Sequence, residues 1–177
     1  LLQAARDFRT IGVVRDSRLQ VTDEGPWWYE VQSVGLNYRL PDVLCAMGLS
    51  QLKRLEAFKA RRWEIVRRYD EALRDVSGVR VPVWRDGADP CWHLYALRIL
   101  DGRRREVFES MRANGIGVQV NYIPVHWQPV FAELGYKRGQ FPVAESFYSE
   151  QLSMPLWPGL TDADVDRSIE TLIRALA

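Results

Sequence analysis

Asn37-Tyr38-Arg39 sets an amide, a phenol and a guanidinium in a row. All three donate hydrogen bonds, so the triplet suits a phosphate or a set of sugar hydroxyls. It would serve equally as a loop leading into a helix with Arg39 on the surface, and residue types do not decide between the two. A second polar group lies in 119–129, where Asn121, Tyr122, His126 and Gln128 follow a strand-like run on a segment holding Pro124 and Pro129. Polar groups on a stiff loop at a strand's exit are where α/β proteins often bind ligands, although a lone histidine such as His126 is more often structural. A third segment, 153–161, is stiffened by Pro155 and Pro158 and reads by composition as a structural turn. His93 falls in an apolar run and can either sit in the core or point into a site. Cys45, Cys91, His93 and His126 lack the paired spacing of a zinc site, so two reduced, buried thiols are expected and no metal.

The elements that must position these groups follow from periodicity. Leu44, Met47, Leu52, Leu55, Phe58, Val66, Tyr69, Leu73 and Val76 recur largely at intervals of three and four. One continuous helix of more than thirty residues is therefore predicted from Pro41, stopped by Ser77-Gly78. Its arginines alternate with acidic residues, as on a solvated face. Strands are expected over 79–84, 92–100, 116–123 and 152–156. Helices are expected over 1–8, 103–113 (closed by Asn114-Gly115), 143–151 and 161–177, the last capped by Thr161. Trp27-Trp28-Tyr29 follows Gly25-Pro26 and reads as an aromatic loop, facing either a ligand or a neighbouring domain. Alternating strands and helices make the class α/β, a small sheet covered by helices.

Composition narrows the function by exclusion. The 177 residues are 47% hydrophobic and 27% charged, with a net charge of +1. That balance gives no reason to expect a nucleic acid or an anionic membrane as partner. No apolar run has the length of a membrane helix. No nucleophile elbow, phosphate-binding glycine loop or carboxylate pair stands out. The chain opens on Leu1 rather than Met, and is read as a piece of something longer.

Gly35-Leu36-Asn37-Tyr38-Arg39-Leu40-Pro41-Asp42-Val43 resembles the G-x-N-Y-R signature of sugar aminotransferases that use pyridoxal phosphate (PLP). Five further pieces follow in the family's order: Gly48-Leu49-Ser50-Gln51-Leu52, Trp92-His93-Leu94-Tyr95, Gly115-Ile116-Gly117-Val118-Gln119-Val120, Tyr122-Ile123-Pro124-Val125-His126 and residues 152–161. Across 25–176 the chain resembles the C-terminal half of the DegT/DnrJ/EryC1/StrS aminotransferases. Its 122–129 and 141–145 segments are most similar to those of the pseudaminic acid pathway's 4-aminotransferases, which act on a UDP-linked 4-keto-6-deoxy sugar.

The resemblance implies the C-terminal small domain of PLP fold type I, with residues 1–40 as the tail of the large PLP-binding domain. Residues 41–177 would then be a long bridging helix and the small domain. It implies a homodimer with sites at the subunit interface and glutamate as amino donor, while the two cysteines, read as reduced, point to a cytoplasmic protein. PLP would be held mainly by the large domain, on a lysine upstream of Leu1. Asn37 would reach the PLP phosphate of the partner subunit, Tyr38 and Arg39 would lie near the nucleotide sugar, and Tyr122, His126 and Asn121 would line the sugar pocket. Relatives usually carry histidine at the position of Asn121, which bears on sugar preference. Lys53, Lys59 and Lys137 lie in no context resembling the Schiff-base lysine, so no catalytic residue is expected in this chain, and by itself it would be inactive. A sugar 3-dehydrase of the same fold, or a non-catalytic dimerisation or binding fragment, are the alternatives.

Overall fold

A computed structural model describes residues 1–22, 24–38 and 41–177, and of Asp42 the backbone alone. In chain order the elements are α1 (Leu2–Arg9), β1 (Val13–Val14), β2 (Glu30–Val31), α2 (Asp42–Leu52), α3 (Leu55–Leu73), β3 (Val79–Arg80), β4 (Tyr95–Ile99), α4 (Arg104–Ala113), α5 (Pro129–Ala132), α6 (Pro142–Glu150), β5 (Gln151–Met154) and α7 (Asp162–Leu176). They fall into two compact units. Leu1–Gly48 with Tyr122–Tyr148 form the first, and Leu49–Asn121 with Ser149–Ala177 the second.

The second unit holds the larger sheet, antiparallel in the order β3-β4-β5, with Val79 opposite Ile99 and Tyr95 opposite Met154. Tyr95, Leu97 and Ile99 alternate inward along β4 and are fully buried, as the two-residue period of a strand with one covered face requires. Ile65, Val66, Tyr69 and Leu73 of α3, Val107 and Met111 of α4, and Val165 and Leu172 of α7 complete this core. Each such side chain contributes about 1.5–3 kcal/mol by leaving water. The Thr161 hydroxyl accepts from the Asp164 amide at 3.2 Å, while the Asp164 carboxylate accepts from the Thr161 amide at 3.0 Å. These two bonds form a capping box at the start of α7, where Thr161 was expected as the cap. Gly115, at φ +78°, follows α4 as the left-handed residue that Asn114-Gly115 was expected to supply.

Several expectations change. The long helix is two helices, because the Arg54 amide bonds the Gln51 carbonyl three residues back and Arg54 leaves helical dihedrals at φ −105°, ψ 1°. Neither Pro nor Gly marks that break. The strand expected over 79–84 stops at Arg80, ahead of Pro82, which has no amide to give a ladder. The stretch 116–123 pairs at one bridge, Gln119 with Ser153, since the next amide in register, that of Asn121, is taken by the Gln151 side chain at 2.7 Å. His93 precedes β4 and is exposed, so the core reading of that residue is set aside. Cys45 and Cys91 are free as expected, but exposed rather than buried, Cys45 on a helix whose described side chains are all exposed.

In the first unit, β1 pairs antiparallel with β2. The aromatic loop packs within this unit. Trp28 is buried and donates to Glu30 at 3.4 Å, Trp27 donates to the Tyr148 hydroxyl at 3.1 Å, and Tyr29 lies beneath the Arg15 guanidinium. Glu30 organises the region. Its carboxylate, 1% exposed, accepts from the amides of Val21 and Thr22, both at 2.8 Å, and from Gln32 at 3.1 Å.

Candidate functional site

Residues 35–37 are held to α1 and the turn after it by backbone contacts. The Leu36 amide donates to the Phe8 carbonyl at 2.6 Å, and Asn37 bridges Thr10 in antiparallel fashion. Gly35 makes this approach possible, since a Cβ there would lie 2.5 Å from the Phe8 carbonyl oxygen and 2.8 Å from the Gly12 nitrogen. The glycine of the signature thus has a steric reason. Asn37 and Tyr38 emerge exposed beyond it, and Arg39 lies outside the described residues.

Pro124 opens a single 3-10 turn, Val125–Trp127, that swings His126 inward while Val125 stays exposed. The His126 ring is 9% exposed, its Nε2 lies 2.7 Å from Oε1 of Glu145, and it meets Phe141 edge-on at 4.7 Å between centroids. Glu145, on α6, also accepts from the Gly139 amide at 2.7 and 2.9 Å. Burial works against its charge, but the His126 ring and the Gly139 and Phe141 amides outweigh it and hold the carboxyl below the usual glutamate range. Beside this pair is a recess of about 420 Å³, lined by Pro124, Val125, Phe131, Tyr136, Phe141 and Ala144 as well as His126.

Tyr122 is exposed and sits beside Tyr29, whose phenol is raised by burial and then by Tyr122. Gln128, grouped by sequence with these polar residues, is instead buried and structural. Its Oε1 accepts from the Val31 amide at 2.7 Å, tying this loop to β2. Asn121 belongs to the second unit, where its amide is bound by Gln151 and its Oδ1 is buried without a hydrogen-bond partner. The carboxylates of Glu145 and Glu30 were not singled out by sequence reasoning. Glu145 lies 19 positions from His126, a separation with no local period to reveal it.

Against PLP, the donor set is partial. Asn37 offers an amide suited to a phosphate. No lysine among the described residues fits a Schiff base, which needs a desolvated amine. Lys59 is ion-paired with Asp89, which raises its pKa, and Lys53 and Lys137 are exposed. Among the described residues no group of three or more His, Cys, Asp or Glu could hold a metal, and no helix is long and apolar enough to cross a membrane.

The sequence pattern of the DegT/DnrJ/EryC1/StrS aminotransferase family matches residues 1–173. The chain belongs to that family. It is 38% identical over 157 residues to the spore coat polysaccharide biosynthesis protein SpsC of Bacillus subtilis, covering 85% of this chain and 40% of SpsC. Among solved structures it is similar to DesV of S. venezuelae, with a TM-score of 0.72 and 29% identity over 98% of this chain and 43% of that one. It is also similar to Helicobacter pylori PseC, an aminotransferase involved in the biosynthesis of pseudoaminic acid, with a TM-score of 0.70 and 25% identity over 98% of this chain and 45% of PseC. The α/β fold is therefore that of the aminotransferases. The chain spans about two fifths of the length of the curated relatives it matches.

Proposed function

We propose that this chain is the C-terminal part of a PLP-dependent aminotransferase that moves an amino group from glutamate to C4 of a UDP-linked 4-keto-6-deoxy sugar, in cell-surface glycan or pseudaminic acid biosynthesis. The observation that carries the reading is the family match running through the 35–39 signature, whose Gly35 packs against α1 and leaves Asn37 and Tyr38 exposed. Likeness to PseC and SpsC supports a sugar substrate and a polysaccharide pathway.

In this reading residues 1–40 end the large PLP-binding domain and 41–177 supply the bridging helices and small domain of a cytoplasmic homodimer. Asn37 donates its amide to the PLP phosphate in the partner's site. Tyr38 and Arg39 meet the nucleotide sugar, Arg39 as a fork for its phosphates. Tyr122, His126 and Asn121 line the sugar pocket. PLP, when bound, supplies the electron sink for amino transfer. The Schiff-base lysine lies upstream, so residues 1–177 alone are inactive.

The test is to express the chain joined to its upstream reading frame, load PLP, and assay amination of a UDP-4-keto-6-deoxy sugar with glutamate. Amination is expected, with PLP affinity weakened by Asn37→Ala. Loss of water from the sugar in place of amination would identify a dehydrase and refute the reading.

A further inference from the structure

Glu145 and His126 form a buried, directional pair, of which the proposed sugar site uses the imidazole alone. An ionised carboxylate accepts hydrogen bonds and donates none. Glu145 stands on α6, and the Gly139 amide donates to both of its oxygens, Oε1 at 2.7 Å and Oε2 at 2.9 Å, which keeps the carboxylate an ionised acceptor toward the imidazole. The 2.7 Å contact therefore requires that Nε2 of His126 carry the proton. In the neutral ring the lone pair is then left on Nδ1. Phe141 packs edge-on against the ring and restricts its rotation. The imidazole borders a recess whose other walls are Pro124, Phe131, Tyr136, Phe141 and Ala144 with Val125. Among these lining residues, only the phenol of Tyr136 is a second polar side chain.

We propose that Glu145 is a positioning residue that locks His126 in its Nε2–H tautomer, so that His126 presents a hydrogen-bond acceptor to a ligand hydroxyl in this recess. The ligand class is a sugar with one hydroxyl aimed at Nδ1 and its apolar C–H face against the aromatic walls. A fixed acceptor selects for a donor, and a keto oxygen at that position finds no proton to bind. The sugar assignment rests on the function proposed above. The tautomer assignment rests on the Glu145–His126 geometry alone.

The experiment separates the two. The chain has two histidines, His93 and His126, so long-range ¹H–¹⁵N correlation spectra of ¹⁵N-labelled protein resolve both rings, with a His93→Gln sample for assignment. In the neutral ring His126 is expected as the Nε2–H tautomer, and Glu145→Gln is expected to convert it to a mixture, since a carboxamide can either accept from Nε2 or donate to it. A dominant Nδ1–H form in the unsubstituted chain would overturn the proposal without any variant having to fold, as would an unchanged tautomer in a folded Glu145→Gln protein. In the full-length enzyme, His126→Phe and Glu145→Gln should each raise KM for the keto-sugar several-fold while leaving kcat nearly unchanged, and together cost no more than His126→Phe alone. An effect of His126→Phe with none of Glu145→Gln would overturn the positioning role. No effect of either would remove sugar from this recess, and the ligand half of the proposal with it, while the spectra would still report on the tautomer.

Discussion

Gly35 stands so close to Phe8 that a β-carbon on it would lie 2.5 Å from the Phe8 carbonyl oxygen. The clash is with backbone, including the Gly12 nitrogen at 2.8 Å, and backbone cannot rotate away as a side-chain tip can. Gly35→Ala is expected to destabilise the protein by about 1–3 kcal/mol, the usual cost of overpacking a site that has no room to relax. A urea midpoint shift at constant slope would measure it. Because the strain falls two residues before Asn37, the variant should also weaken PLP retention in the full-length enzyme. Unaltered stability would show that α1 and the signature loop do not meet as described.

Glu30 should be costly to neutralise. Glu30→Gln replaces one acceptor oxygen by an amide facing the donors of Val21, Thr22 and Gln32. A loss of about 1–3 kcal/mol is expected from donors left unsatisfied. Burial opposes the charge of Glu30, but the amides of Val21 and Thr22 and the Gln32 and Trp28 side chains outweigh it, so the folded pKa lies below the unfolded one. The stabilisation is then present above the ordinary glutamate range and fades as pH falls through the depressed folded pKa. Thermal melts between neutral pH and the acid range should show that loss for the unsubstituted protein and a flatter curve for Glu30→Gln. Parallel curves would refute the assignment.

Asp70 carries the opposite sign. Tyr95 donates to it at 2.7 Å inside the core. Burial nevertheless dominates and raises the Asp70 pKa. The folded state holds that proton more tightly than the unfolded one, so the contribution of Asp70 is fullest at low pH and declines as pH rises through the folded value. Asp70→Asn keeps an acceptor for Tyr95 without a buried charge, and should raise stability near neutral pH. Tyr95→Phe should cost about 1.5–3 kcal/mol, the scale of a hydrogen bond to a charged group. Calorimetry of the two variants at neutral pH gives the signs, and a fall in stability for Asp70→Asn would refute this account.

Arg62 joins three carbonyls. Its Nη1 donates to Trp92 at 3.0 Å, to His93 at 3.2 Å and to Leu156 at 3.0 Å, holding the lead-in to β4 against the segment after β5. Lysine keeps the charge, but its ammonium ends one bond short of the position Nη1 holds, so it cannot meet all three carbonyls from the same backbone. Arg62→Lys is expected to lose about 1–2 kcal/mol. Hydrogen exchange should quicken at Tyr95 and Leu97 more than in α7, and uniform quickening would point to general destabilisation instead.

Much of the second unit was legible in the sequence because its signals are local. The cap at Thr161, the stop at Asn114-Gly115 and the apolar run of 92–100 each act within a turn or a strand, and the structure has a helix start, a helix end and β4 where those residues stand. The helix break at Arg54 escaped because the apolar stripe continues through it without Pro or Gly. Cys45 was assigned to a core by residue type, and helix α2 exposes it.

The family and the loops that carry its motifs were determined by the sequence alone, through short ordered segments that need no folding to be recognised. Only the tertiary structure decided what those loops contain. It turned His126 onto a glutamate 19 residues away, withdrew Gln128 from the polar set to bind β2, and gave Gly35 a carbonyl from α1 to accommodate. Periodicity records which residues share a face of one element, whereas a hydrogen bond between elements depends on how the chain returns.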